Sequence, residues 1–471
     1  MNLPAHGVTR RTGVLACLTV VCLLLLVHSS ASTRPLIRLP QAVRFRSTST
    51  LAHYLAHPSE RPALPLVSFI ASFSLSPPPP SQPVNVTVCA VPTHEEQYLP
   101  EWLTWHRLVG VERFYLFDNS PSRRMRRLLK PWIDEGSVVL YELHYKEGTD
   151  IGAIYQQHVL RLCEKDVLPH SNWASHHDVD EFLLVDAPGW SSPLPTPVPP
   201  APSASNSTSL ATRWTFPLHA RFNEILQRAT CVPILRLPFQ NYGVRELRWA
   251  ESVVEKQTVR DKIDPSFHTY GKIFLHSAQQ PKRASWMGPH SCKALPGTVV
   301  LDSHGKRIVN VDGIYPFNGL ALPQESLRLF HYVQRSLEDC RSKYRVLANT
   351  PNDWRTKDGL TGCARNYVPL DSELATPEGR DELAALVATD SEEERKALPD
   401  RPASWWELFE RDTEARDSWQ GRMTRAVLAE WRARGKREGV WWWEERVTDD
   451  ELDRLEGVRV VRDIERAING A

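Results

Sequence analysis

Asp178 and Asp180 lie two apart in the stretch Ser171-Asn-Trp-Ala-Ser-His-His-Asp-Val-Asp-Glu-Phe-Leu-Leu-Val185. Two carboxylates so spaced, at the exposed end of a buried strand, can hold one hard divalent ion. That ion can hold a diphosphate and neutralise the charge a leaving nucleoside diphosphate gathers as its bond breaks. The chemistry this suggests is transfer from a nucleotide-linked substrate, which in a secretory setting means a sugar donor. The bland alternative is a solvated acidic turn. His176 and His177 stand just before the pair. Neighbours on a strand face opposite sides, so these two do not share one ion.

Such a pair needs strands to carry it. Val84, Val86, Val88 and Ala90 alternate with Asn85, Thr87 and Cys89, which predicts a first strand. Thr93-His-Glu-Glu96 matches a capping box. Leu99, Trp102, Leu103, His106 and Val109 then keep helical spacing. Arg113-Phe-Tyr-Leu-Phe117 reads as a second strand, stopped by the turn sequence Asp118-Asn-Ser-Pro121. Val138-Val-Leu-Tyr141 follows Gly136 as a third strand, and Ile151, Ile154, Tyr155, Leu162 and Cys163 mark a helix. Beyond the acidic segment, Val232-Pro-Ile-Leu-Arg-Leu237, Gly271-Lys-Ile-Phe-Leu275, Thr298-Val-Val-Leu301 and Leu327-Arg-Leu-Phe330 read as further strands. The alternation predicts an α/β fold, a doubly wound and mainly parallel sheet flanked by helices. Ligands of such sheets bind outside the carboxyl ends of the strands. Asp118 and the Asp178/Asp180 pair both fall at such ends.

The amino terminus sets the compartment. Arg10 and Arg11 precede the apolar run Val14–Val27, shorter than the roughly 20 residues that span a bilayer comfortably. A cleaved signal peptide, with Ser29-Ser-Ala31 as the site, and an uncleaved signal anchor both fit. Either places the remainder in the lumen or outside. Residues 1–28 form that segment, and 29–83, ending in Pro77-Pro-Pro-Pro80, form a stiff stem. The globular part begins at Val84. Residues 187–212, rich in Pro, Ser, Thr and Ala, read as a disordered insertion within a catalytic domain at 84–374. Residues 375–471 read as a helical extension rich in tryptophan. There Trp441-Trp-Trp443 cannot all be buried on one helix face. A net charge of +1 implies no broad attraction to nucleic acid. Outside the apolar run, Cys89, Cys163, Cys231, Cys292, Cys340 and Cys363 are compatible with up to three disulfides in an oxidising lumen, pairing left open. Sequons at Asn85 and Asn206 also fit a lumen, the first lying within a strand that folding can block.

Four segments in order resemble glycosyltransferase family 92, a group of type II membrane enzymes. They are Cys89-Ala-Val-Pro-Thr-His-Glu-Glu-Gln-Tyr-Leu-Pro-Glu-Trp-Leu103 with Gly110–Asp118, then Asp178-Val-Asp-Glu-Phe182, then Gly271-Lys-Ile-Phe274 with His290, and His331-Tyr-Val-Gln-Arg-Ser336 with Asp339 and Lys343. Two departures stand out. Ser175, His176 and His177 occupy a strand that is usually apolar in the family, and Arg335-Ser336 stands for its Lys-Ser pair.

The resemblance implies a GT-A fold (Rossmann-like), a nucleotide-sugar donor such as a UDP-sugar, a divalent metal such as Mn²⁺, and inverting transfer. It implies that Asp178 and Asp180 bind the metal, with Glu181 behind them, and that His331 is a third ligand, with His290 the competing choice. Lys272, Arg335 and Lys343 would supply charge to the donor phosphates, and Asp118 would hold the nucleoside or else cap its turn. Inversion needs a base on the far side of the sugar, for which Glu246 in an acceptor-side loop is the candidate.

The expected protein is a metal-dependent glycosyltransferase in the Golgi or endoplasmic reticulum membrane, with a secreted form as the alternative. It would move a hexose, galactose for instance, to a glycan on a glycoprotein or glycolipid. A glycoside hydrolase using the two aspartates without metal, and a non-catalytic binding module with a relic site, are the rivals.

Overall fold

The computed structural model describes residues 84–119, 122–144, 153–185, 196–198, 213–239, 252–257, 259–261, 271–277, 284–288, 290–295, 298–308, 314–315, 327–332, 335–336, 339, 409–411, 414–434, 436–437, 440–441 and 443–462. The membrane segment, the stem, Glu246, Lys343, Cys340, Cys363 and the sequon at Asn206 lie outside these residues. Among the described residues no helix is long and apolar enough to cross a membrane.

The first elements are β1 (Val84–Ala90), α1 (Leu99–Val109), β2 (Arg113–Asp118), α2 (Arg123–Asp134), β3 (Val138–Leu143), α3 (Ala153–Leu162), β4 (Ser171–His176) and β5 (Glu181–Val185). They are followed by β6 (Thr196–Val198), β7 (Arg213–Thr215), α4 (Pro217–Arg221), β8 (Cys231–Phe239), α5 (Val253–Lys256), β9 (Val259–Asp261), β10 (Lys272–His276), β11 (Ala284–Gly288) and β12 (Ser291–Ala294). Then come β13 (Val300–Leu301), β14 (Arg307–Ile308), β15 (Ile314–Tyr315), β16 (Leu327–Tyr332) and β17 (Phe409–Arg411). The chain ends with α6 (Glu414–Asp417), α7 (Trp419–Arg434), β18 (Lys436–Arg437), β19 (Val440–Trp441), α8 (Asp449–Asp453) and β20 (Val458–Val461).

A 13-stranded sheet runs β14-β13-β8-β10-β4-β1-β2-β3-β20, with β16, β5, β9 and β17 branching from it. The flank β4-β1-β2-β3-β20 is parallel throughout. Its inner strands β1, β2 and β3 are buried on both faces, as parallel strands covered by helices must be, while the edge strand β20 is partly exposed. Beyond β4 the expectation of a mainly parallel sheet fails, because β10 enters antiparallel to both β4 and β8. The sheet is therefore mixed. Antiparallel neighbours need no crossover helix, so β10 joins β4 and β8 without one.

The polar run that opens the acidic segment fits this sheet without slipping. β4 is fixed on one side by Cys89 opposite His176 and on the other by Phe274 opposite Ser175. Ser175 Oγ donates to the Ile273 carbonyl at 2.7 Å, which satisfies its hydroxyl inside the sheet. Disulfides join Cys89 to Cys163 and Cys231 to Cys292. They tie β1 to the turn after α3, and β8 to β12.

The capping box is not formed. A single 3₁₀ turn, Glu96–Tyr98, precedes α1, and its N-cap Glu95 makes no capping hydrogen bond. Glu95 instead pairs with Arg335, its carboxylate 3.1 Å from the guanidinium. The helix begins where Pro100 fits the first turn, and it ends at Gly110, whose φ of 116° is left-handed. A Cβ at Gly110 would stand 2.6 Å from Phe216 Cβ, so the turn needs glycine twice over.

All eleven residues of α1 are buried. One face of it replaces a strand. β5 pairs with β16 on one side, and Trp102, Trp105 and His106 meet its other edge. Trp102 Nε1 donates to the Glu181 carbonyl at 2.8 Å, and Trp105 Nε1 to the Leu183 carbonyl at 2.7 Å. Leu183 N–H donates to His106 Nε2 at 3.3 Å, while His106 Nδ1 donates to the Trp102 carbonyl at 2.8 Å. The spacing 102, 105, 106 puts the three side chains on one helix face.

The carboxyl-terminal segment supplies helices and also a sheet strand. β20 lies parallel to β3 at the sheet edge, and α7 packs on α1. Trp441 and Trp443 do not sit on a helix. Trp441 ends β19, and its ring stacks on Trp443 at 5.2 Å with the planes 8° apart, both rings buried. Trp431 and Trp132 meet them edge-on, so these indoles form core. β6, inside the expected insertion, pairs with β7 just beyond its end.

Replacing Trp105 by Phe keeps most of the ring and removes the donor to Leu183. We expect this to cost about 1–3 kcal/mol of stability, read as a lowered urea midpoint. Burial holds the His106 ring at about 3, well below its usual value of 6.5. The unfolded chain therefore takes the proton first, so this contribution to stability is intact above pH 6.5 and is lost as pH falls toward 3. The loss amounts to ~1.4 kcal/mol per pH unit. Urea titrations at pH 7.5 and 5 should show a larger drop for wild type than for His106→Gln; equal drops would count against it.

Candidate functional site

Because β1, β2 and β4 are parallel, their carboxyl ends share one edge of the sheet. Asp118 is buried where β2 ends, opposite Glu142 of β3. Asp178 and Asp180 occupy the turn between β4 and β5. That turn closes on itself twice. Glu181 N–H donates to the Asp178 carbonyl at 3.0 Å, and Asp178 N–H donates to Glu181 Oε2 at 2.9 Å. β16 then runs antiparallel to β5 with His331 opposite Glu181, and Tyr332 N–H donates to the Asp180 carbonyl at 2.8 Å. This register brings His331 Nε2 to 3.4 Å from Asp180 Oδ1.

Lys272 opens β10, and its side chain is completely buried. Its Nζ stands 2.9 Å from Asp178 Oδ2 and 3.2 Å from Glu181 Oε2. Arg236 of β8 reaches the other Glu181 oxygen at 3.3 Å. Two carboxylates and two cations thus balance in a small volume. Burial alone would pull the Lys272 ammonium down, but Asp178 and Glu181 overcome it and hold the group above the usual lysine range. Burial alone would raise the Asp178 carboxyl; Lys272 and then His176 outweigh it, and the acid is held well below the usual carboxylate range.

The remaining sequence candidates sit close by in different roles. His290 Nδ1 donates to the Gly271 carbonyl at 3.0 Å, and burial, with Lys272 and Arg236 nearby, holds its ring at about 3, hence neutral. Arg335, at a left-handed φ of 51°, lays its guanidinium 3.5 Å from the centre of the Tyr98 ring and pairs with Glu95. Burial opposes its charge, and Glu95, Tyr98 and Asp180 together hold it above the usual arginine range. Glu95, Tyr98 and Arg236 were not marked by sequence pattern. Arg236 carried a signal nonetheless, a lone cation inside the apolar run of β8.

A divalent ion here would have few protein donors. Among the described residues no group of three His, Cys, Asp or Glu side chains stands close enough to hold a metal. The Asp180 oxygen and the His331 nitrogen are the pair whose 3.4 Å separation suits adjacent positions around one ion. Ions that keep water and bind substrate phosphates need no more than one or two protein ligands. The residues therefore fit a metal through Asp180 and His331, while Asp178 is turned to Lys272.

Residues 84–194 match the family model of glycosyltransferase family 92. The match supports a family 92 glycosyltransferase, and so an enzyme of the transferase class. It covers β1 to β5 with both aspartates, and stops before Lys272, His331 and Arg335. A search of curated proteins finds no match. The mannosyltransferase PcManGT from Pyrobaculum calidifontis, solved in complex with GDP-Man and Mn²⁺, aligns at 11% identity over 81% of this chain and 92% of its own. The TM-score is 0.24, too low to establish a common fold.

Arg335→Ala should leave the largely buried Glu95 carboxylate without its cation and cost ~3 kcal/mol, measured by urea unfolding. Arg335→Lys should recover only part of this, because an ammonium cannot lie flat on Tyr98. Full recovery by lysine would show that the stacking contributes nothing.

Proposed function

We propose that this transferase moves a hexose from a UDP-sugar to a glycan hydroxyl, with inversion, using a divalent ion such as Mn²⁺ held by Asp180 and His331. The observation that carries the reading is the Asp180–His331 pair at the carboxyl edge of the sheet, Asp180 lying in a turn that the family match includes and His331 on β16 beyond it. The carboxylate suits Mn²⁺, and the imidazole nitrogen beside it would take the neighbouring position. A cation held there would neutralise the charge that gathers on the leaving diphosphate.

The chain's own residues fill the other roles. In this reading Arg335, whose buried charge Asp180 and Glu95 help to hold, would counter donor phosphates. Asp118, at the end of β2, would meet the nucleoside. Glu246 and Lys343 remain the proposed base and a further phosphate contact. The two disulfides support an oxidising compartment, in keeping with a luminal domain in the Golgi or endoplasmic reticulum. A hydrolase would need both aspartates free to flank a glycosidic bond. Asp178 is clamped by Lys272, which weighs against that rival.

Purified protein should release UDP from a UDP-sugar only when Mn²⁺ is supplied, and chelator should stop it. Asp180→Asn and His331→Ala should each weaken Mn²⁺ binding by ~10–100-fold. Unaltered Mn²⁺-dependent turnover in both variants would sink the proposal.

A further inference from the structure

We infer that Lys272 is a positioning residue, an internal cation that holds Asp178 and Glu181 so that Asp180 alone of the two aspartates faces His331. The inference rests on the metal reading above and deepens it.

Three observations converge. The Lys272 side chain has no exposure, and its Nζ lies within 3.2 Å of two carboxylates from the same turn. Its charge is therefore matched inside the protein before any donor arrives. Glu181 is also completely buried, and its free oxygen is met by Arg236. A buried carboxylate is tolerated only when paired, so without these cations the turn would bring Asp178, Asp180 and Glu181 together uncompensated. Finally, Glu181 Oε2 both accepts from Asp178 N–H and touches Lys272, so one ammonium sets the turn's backbone and its first side chain at once. Asp180 points the other way, toward β16.

The functional consequence is a division of labour within the pair. Asp178, its side chain 30% exposed, is tied to Lys272, and Asp180, 5% exposed beside His331, is the one assigned to the ion. A lysine that bound donor phosphate would instead need its ammonium turned outward.

The test compares variants of the full chain by Mn²⁺ affinity without donor, by UDP affinity, and by kcat and KM for UDP release. Asp178→Asn should keep Mn²⁺ affinity within threefold of wild type, whereas Asp180→Asn should lose tenfold or more. Lys272→Met should free Asp178 as an extra donor, raising Mn²⁺ affinity threefold or more. It should also lower kcat at least tenfold, with KM for the donor within threefold. Should that variant fail to fold, Lys272→Met/Asp178→Asn removes both partners, and its Mn²⁺ affinity should return to within threefold of wild type. A tenfold rise in donor KM with kcat and Mn²⁺ affinity unchanged would make Lys272 a phosphate contact and overturn the inference. So would loss of Mn²⁺ binding in Asp178→Asn. Wild type that binds Mn²⁺ but releases no UDP removes the transfer reading alone, because Mn²⁺ affinity reports the turn by itself. Wild type that binds no Mn²⁺ overturns both.

Discussion

A strand that lies buried must place every backbone hydrogen bond, whether or not a second strand is at hand. β5 meets this constraint in an unusual way. One edge pairs with β16, and the other is met by two indoles and an imidazole from α1. Each indole offers one donor and no acceptor, so it fits a strand carbonyl; the imidazole, with its proton on Nδ1, fits the N–H between them. The helix is thereby locked in azimuth and height against β5. Since β5 begins at Glu181, the lock also sets the turn that carries Asp178 and Asp180. On the other edge, the register that puts His331 opposite Glu181 brings its ring to Asp180. A slip of one residue would turn His331 to the opposite face.

Buried carboxylates pack around this helix, and they are stabilised in two different ways. Glu101 accepts from Ser252 Oγ and from the N–H groups of Val253 and Val254, at 2.7, 2.7 and 3.3 Å. Burial pushes its carboxyl up, and these hydrogen bonds oppose the shift. That arrangement fastens α5 to α1, with the charge of Arg432 adding to the hydrogen bonds. Glu181 receives ammonium and guanidinium instead. The difference matters for the site. Dipoles alone would leave a net negative turn, whereas Lys272 and Arg236 bring the Asp178/Glu181 cluster to balance and leave Asp180 to His331 and to the field of Arg335.

Much of the parallel flank could be read from the chain. Alternation in β1, the aromatic run of β2 and the 99–109 spacing of α1 are local patterns, and local physics decides them. The acidic pair was legible for the same reason, as a polar break after a strand. What could not be read depends on contacts between distant segments. The orientation of β10 places Lys272 on a turn 94 residues earlier, and no periodicity records that. α2 went unmarked, its arginines at 123, 124, 126 and 127 hiding an apolar face that buries Met125, Leu128, Leu129 and Trp132. The capping-box motif at Thr93–Glu96 did not form either: the turn begins only at Glu96, and the Thr93 hydroxyl accepts from Asn119 instead.

The polar run of β4 is the point at which sequence pattern and structure pull hardest against each other. Ser175, His176 and His177 look out of place in a central strand, and such a run is what a decayed site would show. The serine hydroxyl bonds to β10, and the His177 ring packs edge-on to Phe274 and near His106, while the ring nitrogens of His176 and His177 are buried without hydrogen-bond partners among the described residues. Burial, with Lys272 close by, holds the His176 ring at about 4, and burial likewise lowers His177 well below its usual value. Both rings are therefore neutral at physiological pH. Charged, they would set two more cations beside Lys272 and undo the balance that Asp178 and Glu181 provide. Neutral, they pack completely buried on the inner side of the turn. In that low-dielectric surrounding the attraction of one ammonium for two carboxylates is strongest.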